Sequence, residues 1–349
     1  MAPRDDAQPS ESNSDVWTDQ FGVHVAVPGS WRRPGVPEAR TYDPGREVEH
    51  PGSEVYFPPV PNGLDYLVSV VEHLEAGTER VSARDLKYAV LHLAAGAEVL
   101  LKARLQLEHW SLVFSDPAKA KRSELEDGSL TSCGPDETVH RLQNLAGVKI
   151  TGNDRKALST LAKDRNALQH YGLYNKNSNA RAVESRAAEV LDFLIRFLDE
   201  DLLPALPKEE TEAAEADLER IRGGLVQIEV YVKQRMQRLR PELEPLLDRT
   251  VKCPDCRQWA LVVEPAQAQG APRDSRCRFC RMVQEAEGIA IVYGVEVLMR
   301  DPVKAVQNCP RCEVESLVNG VRFAADPDAP VAFCFQCTWV APMSESAAS

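Results

Sequence analysis

The sequence predicts a mainly α-helical protein that ends in two small β units, and three observations support this fold class. Apolar residues recur every three or four positions through most of residues 63–247, which is the period of a helix packed on a core. Ten of the 24 prolines lie within residues 1–62. Eight of the nine cysteines form four CxxC pairs after residue 252, among short β-like runs and turns.

These observations divide the chain into five segments. Proline fixes φ and lacks an amide proton, so the N-terminal segment is predicted to be extended, without helices or sheet ladders. Helical periodicity defines the second segment, and a change from acidic to basic residues defines the third. An internal repeat of the cysteine pairs defines the last two. The segments are an arm at 1–62, a helical domain at 63–205, an acidic connector with a long basic linking helix at 206–249, and β units at 250–293 and 294–349.

The charge and hydropathy of the chain exclude several classes of protein. Its 41 basic and 53 acidic residues give a net charge of −12, which excludes a uniformly basic nucleic-acid coat but not a local basic patch. No run approaches 18 uncharged apolar residues, and the N-terminal residues lack the apolar core of a signal peptide. We therefore expect a cytoplasmic protein with no membrane partner.

Start and stop signals give the expected helices of the central region. Ser82 is a suitable N-cap for a helix that is apolar on most faces, which is typical of a central helix. Asn153 or Asp154 can cap a later helix, which Gly172 closes. The expected helices cover residues 64–76, 84–107, 136–147, 154–171, 180–203 and 211–247.

The cysteine pairs carry the strongest chemical signal in the sequence. Two thiolates from one CxxC turn can bind the same ion, and a second turn across a hairpin completes a closed tetrahedral site. The pairs Cys253/Cys256 and Cys277/Cys280 are separated by 20 residues, and Cys309/Cys312 and Cys334/Cys337 by 21. This spacing predicts two zinc ribbons with two structural Zn²⁺ ions per chain and no catalytic metal.

Alternatives to this interpretation remain at the level of sequence. A redox-active CxxC needs a βαβ context, which no pair has. The turns can also be exchanged between the two units. The ribbons can bind RNA, DNA or a protein partner, and an arginine cluster near the third cysteine pair is one candidate surface.

A second signal lies in the helix that ends near Gly172. Leu158, Leu161, Ala162, Arg165 and Leu168 follow a helical stripe, so Arg165 occupies a place among apolar residues. Burying an arginine is costly unless it is paired or lies in a polar cleft. Asn166 and His170 share one helical face, whereas Arg165 and His170 are roughly 140° apart.

Glu98, the only acid within residues 86–107 of the predicted central helix, adds to this signal. Glu98 is flanked by Leu91, Ala94, Leu101 and Leu105, so we expect a buried carboxylate that needs a partner. Lys102, one turn further on, is the local candidate, and Arg165 is the tertiary one. A purely structural ion pair is the alternative reading of Glu98.

The order of these residues resembles the HEPN superfamily over roughly residues 64–203. The resemblance rests on Glu98-x₃-Lys102 in a long apolar helix, followed by Arg165-Asn166-x₃-His170 in a later one. It implies an HEPN-like helical bundle, followed here by a long linking helix and two small β zinc-ribbon domains. It also implies catalytic roles for Arg165, Asn166 and His170, and for Tyr171 or Tyr174 as an added tyrosine.

The activity that the resemblance implies is metal-independent RNA cleavage by a symmetric homodimer, with products ending in 2′,3′-cyclic phosphate. RNA is then the expected substrate, and defence or toxin-like RNA restriction the setting in which the family often works. Some HEPN domains have lost catalysis, so the alternative function is a non-catalytic dimeric scaffold that binds nucleic acid or protein. The sequence lacks GxGxxG, GxxxxGK[ST], HExxH and GxSxG motifs.

Overall fold

The computed structural model describes residues 16–18, 24–26, 57–75, 81–172, 179–264 and 274–342. The chain forms two compact units, residues 1–55 and 56–349. In the first unit, β1 (Val16–Thr18) pairs antiparallel with β2 (His24–Ala26). The expectation that the arm contains no sheet ladder is therefore wrong at this point, because residues 10–27 contain no proline.

The second unit begins with eight described helices that carry most of its core. They are α1 (Pro59–Leu74), α2 (Ala83–Glu108), α3 (Arg122–Glu126), α4 (Pro135–Asn144), α5 (Gly152–His170), α6 (Ala180–Phe197), α7 (Lys208–Leu225) and α8 (Glu229–Leu243). α1 begins earlier than the predicted boundary at residue 63, since Pro59 lies at the first helical position, where no amide hydrogen bond is needed.

The central position predicted for α2 is confirmed. It packs against α1, α4, α5 and α6, and Leu93, Leu100 and Leu105 are completely buried. Its predicted N-cap is also confirmed, because the Ser82 hydroxyl accepts a hydrogen bond from the Asp85 amide at 3.1 Å. Burial of this helix on several sides explains why its apolar residues are not confined to one stripe.

The long linking helix predicted for residues 211–247 is instead two helices. α7 packs on α1, α8 packs on α6, and the chain turns between them at residues 226–228. Near the end of α7, Gly224 lies directly against Val71 of α1 and against Glu75, the residue that follows α1. The linking helix breaks because its two halves bury their apolar faces on different helices.

The cysteine-rich region forms one antiparallel sheet around α9 (Ala286–Val292). Its strands run in the order β10-β9-β8-β3-β4-β5-β6, and β7 pairs with β8. The strands are β3 (Thr250–Lys252), β4 (Trp259–Val263), β5 (Asp274–Cys277), β6 (Val283–Glu285), β7 (Gln307–Asn308), β8 (Glu315–Phe323), β9 (Asp326–Cys334) and β10 (Val340–Pro342).

Two separate β domains were expected, but β3 and β8 pair at Val251 and Phe323 and so join the halves. This contact joins the edges of β3 and β8 at one point, where separate domains would leave both edges exposed. The main hydrophobic core runs from Leu64 of α1 through the helices to Phe335 beyond β9. Within the described residues, no helix is long and apolar enough to span a membrane.

The contact between α7 and α1 can be tested at two neighbouring glycines. A Cβ at Gly224 would clash with Val71, whereas a Cβ at Gly223 meets no atom within 4 Å. We expect Gly224→Ala to lower the free energy of unfolding by about 1–3 kcal/mol through overpacking. Gly223→Ala should raise it by about 0.5–1 kcal/mol through helix propensity. Urea unfolding followed by circular dichroism measures both, and equal effects would contradict this packing.

Candidate functional site

All four CxxC pairs adopt the same turn. The residue after the second cysteine of each pair has a left-handed backbone, with φ between 53° and 66°. Its amide donates a hydrogen bond of 2.8–3.0 Å to the carbonyl of the first cysteine. These residues are Arg257, Arg281, Glu313 and Thr338. Since none of them is glycine, each turn holds a conformation that L-residues seldom adopt.

The eight cysteines form two clusters in the order predicted. One contains Cys253, Cys256, Cys277 and Cys280, the other Cys309, Cys312, Cys334 and Cys337, and within each all sulfur atoms lie within 4.8 Å of one another. Exchange of turns between the two halves of the sheet is thereby excluded.

The sulfur geometry of both clusters fits a tetrahedral ion. The Sγ–Sγ distance is 3.7 Å for Cys253 and Cys280 and 3.6 Å for Cys309 and Cys337. Four sulfurs placed about 2.3 Å from a central ion would be about 3.8 Å apart. A disulfide needs about 2.05 Å, so these thiols are free to act as ligands. Each cluster can therefore hold one metal ion, and four thiolates in this arrangement are consistent with zinc.

Amide and hydroxyl groups lie close to the sulfur atoms of both clusters. The Cys280 amide lies 3.5 Å from the Cys277 sulfur, and the Cys337 amide lies 3.4 Å from the Cys334 sulfur. The Ser316 hydroxyl, which the sequence did not single out, lies 3.1 Å from the Cys334 sulfur. Such contacts orient metal ligands and stabilise their charge.

The two clusters differ in their surroundings. The thiols of Cys253, Cys256 and Cys277 are part of the core that also contains the helices. Cys309 and Cys334 belong to a separate small core with Leu317 and Ala332. The first cluster is therefore built into the main body of the protein, and the second lies at one end of the sheet.

Arg165 lies on α5, whose ends are strongly specified. Thr151, rather than Asn153 or Asp154, is the N-cap, and Asp154 completes a capping box with it. Tyr171 follows the last helical residue, and Gly172 has a φ of 84°, as a closing glycine requires. The predicted C-terminal end of the helix is confirmed, whereas the predicted N-cap was wrong by two or three residues.

The structure brings Arg165, Glu98 and Lys102 together. The Lys102 ammonium donates to Glu98 at 2.6 Å and to the Ser132 hydroxyl at 2.9 Å. The Arg165 guanidinium lies 3.5 Å from the second Glu98 oxygen and donates to Gln169 at 3.2 Å. Both partners expected for Glu98 are therefore present.

Glu98 is not the buried carboxylate that was expected. Its side chain is 36% exposed, and that of Arg165 is 31% exposed. Both line a small groove between α2, α4 and α5, whose walls include Leu101, Val139 and Leu158. The Glu98 face of α2 is open here because α4 and α5 do not close over it.

The other motif residues lie apart from this groove. Asn166 and His170 are exposed, and Tyr171 is 78% exposed with its ring 5.9 Å from that of His170. None of these three is among the described residues that line the groove. Tyr174 lies outside the described residues. One chain therefore places Arg165 beside Glu98 and Lys102 but does not bring His170 to the same point.

A buried ion-pair network was missed by the sequence reading. Asp192 on α6 and Arg235 on α8 pair at 2.7 Å, with both side chains 3% exposed. The sequence contained a signal for it, since Asp192 is the only acid within the run VLDFLIRF, as Glu98 is within residues 86–107.

Comparisons with known proteins give no relatives. No family model, no curated protein and no solved structure matches the chain significantly. The structure defines a class of protein: a mainly helical protein joined to an antiparallel sheet that carries two four-cysteine clusters, each able to hold a metal ion. The HEPN resemblance rests on the motif residues alone.

Metal analysis tests the two clusters directly. The full-length protein should contain two metal ions per chain, and Cys312→Ser should reduce this to one because a cluster loses a ligand. Cys133→Ser is the matched control, since Cys133 is buried beside Thr138 at 3.2 Å and belongs to neither cluster. Elemental analysis of metal-replete protein gives the ratio. Two ions in Cys312→Ser, or none in the unmutated protein, would contradict the assignment.

Proposed function

We propose that the protein is a metal-independent endoribonuclease of the HEPN type, with two structural zinc ions in its sheet. The observation that carries the proposal is the placement of Arg165. Its guanidinium is about one-third exposed at a groove, and a carboxylate holds it in place, so it can still approach a ligand.

The chemistry of RNA cleavage suits these residue types. The ribose 2′-hydroxyl attacks the adjacent phosphorus, and the bond to the leaving 5′-oxygen breaks. Histidine can accept the first proton and donate the second near neutral pH. A guanidinium can bind two phosphate oxygens and stabilise the charge of the transition state. In this scheme His170 transfers protons, Arg165 binds the phosphate, and Asn166 and Tyr171 orient it.

Glu98 and Lys102 act through Arg165 in this proposal. The carboxylate accepts from Lys102 and lies beside the guanidinium, so it limits the positions that Arg165 adopts. Lys102 is itself held by a hydrogen bond to the Ser132 hydroxyl. The pair prepares the arginine for its substrate and contributes positive charge near the phosphate.

A homodimer would complete the site. Arg165 and His170 lie on different sides of α5, and His170 and Tyr171 are exposed at its end. A second copy of α5 placed against the first would supply another His170 and Arg165 to the same cleft. The proposed partners are therefore a second copy of this chain and RNA.

The zinc ions have no part in the proposed reaction. Each cluster supplies four sulfur ligands, so a tetrahedral ion there has no open position for water or substrate. They stabilise the sheet, and that sheet is part of the same compact unit as the helices.

A non-catalytic scaffold is the second candidate, and one feature of the sheet region favours it. Met299 is 82% exposed and Val303 is 90% exposed, in the segment that leads into the second cluster. Exposed apolar side chains are more typical of a protein-binding surface than of an RNA-binding one. In this alternative the helical domain dimerises and Arg165 with Glu98 is an ordinary ion pair.

Cleavage of mixed RNA by the purified protein separates the two candidates. Arg165→Ala and His170→Ala should each lower the rate by about 10² or more, the loss expected for one charge-stabilising or acid–base group. His140→Ala on α4 is the matched control, because it is also an exposed helical histidine. EDTA should not stop the reaction while the protein stays folded, DNA should be inert, and products should carry 2′,3′-cyclic phosphate.

Thermal unfolding of the same variants distinguishes catalysis from structure. Arg165 and His170 are at least partly exposed, so their replacement should change the melting temperature little. RNA cleavage that persists in both variants would exclude the proposed site. Absence of cleavage by the unmutated dimer would favour the scaffold.

A further inference from the structure

Arg235 of α8 holds the turn of the first cysteine cluster by its backbone. Its Nε donates to the carbonyl of Phe279 at 2.9 Å, and its Nη2 donates to the carbonyl of Arg278 at 3.2 Å. These two residues are the ones between Cys277 and Cys280. A buried helical side chain is thus bonded to the loop that carries two metal ligands.

The same arginine connects this turn to α6. Its Nη1 donates to Asp192 at 2.7 Å, and the other Asp192 oxygen accepts from Arg238 at 2.6 Å. Burial by itself lowers the pKa of Arg235, but interactions with Tyr231 and Asp192 raise it, and the net result is a pKa above the ordinary value. The guanidinium therefore stays charged and needs all of its acceptors, including the two carbonyls of the turn.

The network ends at the N-terminus of α5, the helix that carries Arg165. Arg238 also lies 3.3 Å from Asp154, and Arg196 donates to Asp154 at 2.7 Å. Asp154 accepts the Thr151 amide in the capping box that starts α5. A continuous series of hydrogen-bonded side chains therefore runs from the cysteine turn to the start of this helix.

A second contact joins the same turn to the end of α6. Arg281, the left-handed residue after Cys280, donates to Glu200 at 2.7 Å. Glu200 belongs to the π-helical extension of α6, Leu198–Leu202. Both α6 and α8 are thus attached to a turn whose shape depends on its two cysteines.

The second cluster has no comparable hydrogen-bonded attachment to the helices among the described residues, although Phe335 of its second turn is buried in the main core beside Tyr293. The hydrogen bonds of its turns stay within residues 309–342, and its cysteines form their own small core. The two clusters therefore have similar sulfur–sulfur distances, but only the turns of the first are hydrogen-bonded to helices among the described residues.

We propose that metal binding at the first cluster controls the stability of the helical domain and the attachment of α5, whereas metal at the second supports only its end of the sheet. The inference rests on the proposed zinc occupancy but not on the proposed RNA cleavage. Without metal, the 277–280 turn is no longer constrained, and Arg235 loses two of its acceptors. The helical domain then becomes responsive to zinc although the reaction proposed for it uses none.

A matched pair of cysteine variants tests the difference between clusters. Cys280 and Cys337 are the last cysteines of their clusters, and both are partly exposed. Each replacement by serine should remove one metal ion per chain. Cys280→Ser should also lower the melting temperature of the helical signal at 222 nm by about 10 °C or more, whereas Cys337→Ser should change it by no more than about 2 °C.

Arginine variants of the full-length protein test the link itself. Arg235→Met should speed the release of one of the two metal ions to a chromogenic chelator by about tenfold, because groups that orient metal ligands affect metal affinity by 10–100-fold in other proteins. Arg240→Met is the control, since Arg240 is exposed on the same helix. If Arg235→Met does not fold, Arg235→Lys should still speed release, since it cannot reach all three acceptors.

The outcomes of these experiments distinguish this inference from the proposed zinc occupancy and from the proposed RNA cleavage. Equal shifts in helical melting for Cys280→Ser and Cys337→Ser, or unchanged metal release in the Arg235 variants, would overturn the coupling. Unmutated protein without metal would refute the zinc occupancy and the coupling with it. A lack of RNA cleavage would leave the coupling intact, because neither melting nor metal release depends on it.

Discussion

A buried charge pair, Arg235 with Asp192, joins the helices to the sheet. Two charges removed from water destabilise a fold unless hydrogen bonds satisfy the remaining donors and acceptors. Here the guanidinium meets Asp192 and two backbone carbonyls, and the carboxylate meets Arg235 and Arg238. This set of contacts requires α6, α8 and the first cysteine turn to occupy one relative position. The arrangement of α5 and of the sheet depends on it.

The continuous core explains why the helical and cysteine-rich regions form one compact unit. Apolar side chains from α1 to Phe335 belong to a single buried cluster, and the pairing of β3 with β8 links the two halves of the sheet. A ribbon of some 40 residues buries little apolar surface by itself, so shared burial is an effective source of stability. The first cluster therefore combines metal geometry with core packing, whereas the second relies more on its own ligands.

A single chain does not bring all of the candidate RNase residues to one site. Arg165 and Glu98 meet at a groove, and Lys102 is bonded to Glu98, while His170 and Tyr171 are exposed at the end of α5. The His170 imidazole is exposed and lies roughly 140° around α5 from Arg165. Within one chain, therefore, the proposed proton-transfer group and the proposed phosphate-binding group do not face the same point. The arrangement is intelligible if a second α5 completes it, as the proposed dimer requires.

The sequence by itself determined the features that depend on near neighbours. The Ser82 cap and the closing role of Gly172 could be predicted because contacts within about five residues produce them. The two cysteine clusters could be predicted because two CxxC pairs about 20 residues apart match the ligand spacing of a single metal site. Tertiary structure decided the rest. It broke the linking helix at residues 226–228, merged two ribbons into one sheet, exposed Glu98 and buried Asp192 against Arg235. Each of these outcomes depends on which distant surface covers a given helix face or strand edge, and local periodicity carries no information about that choice.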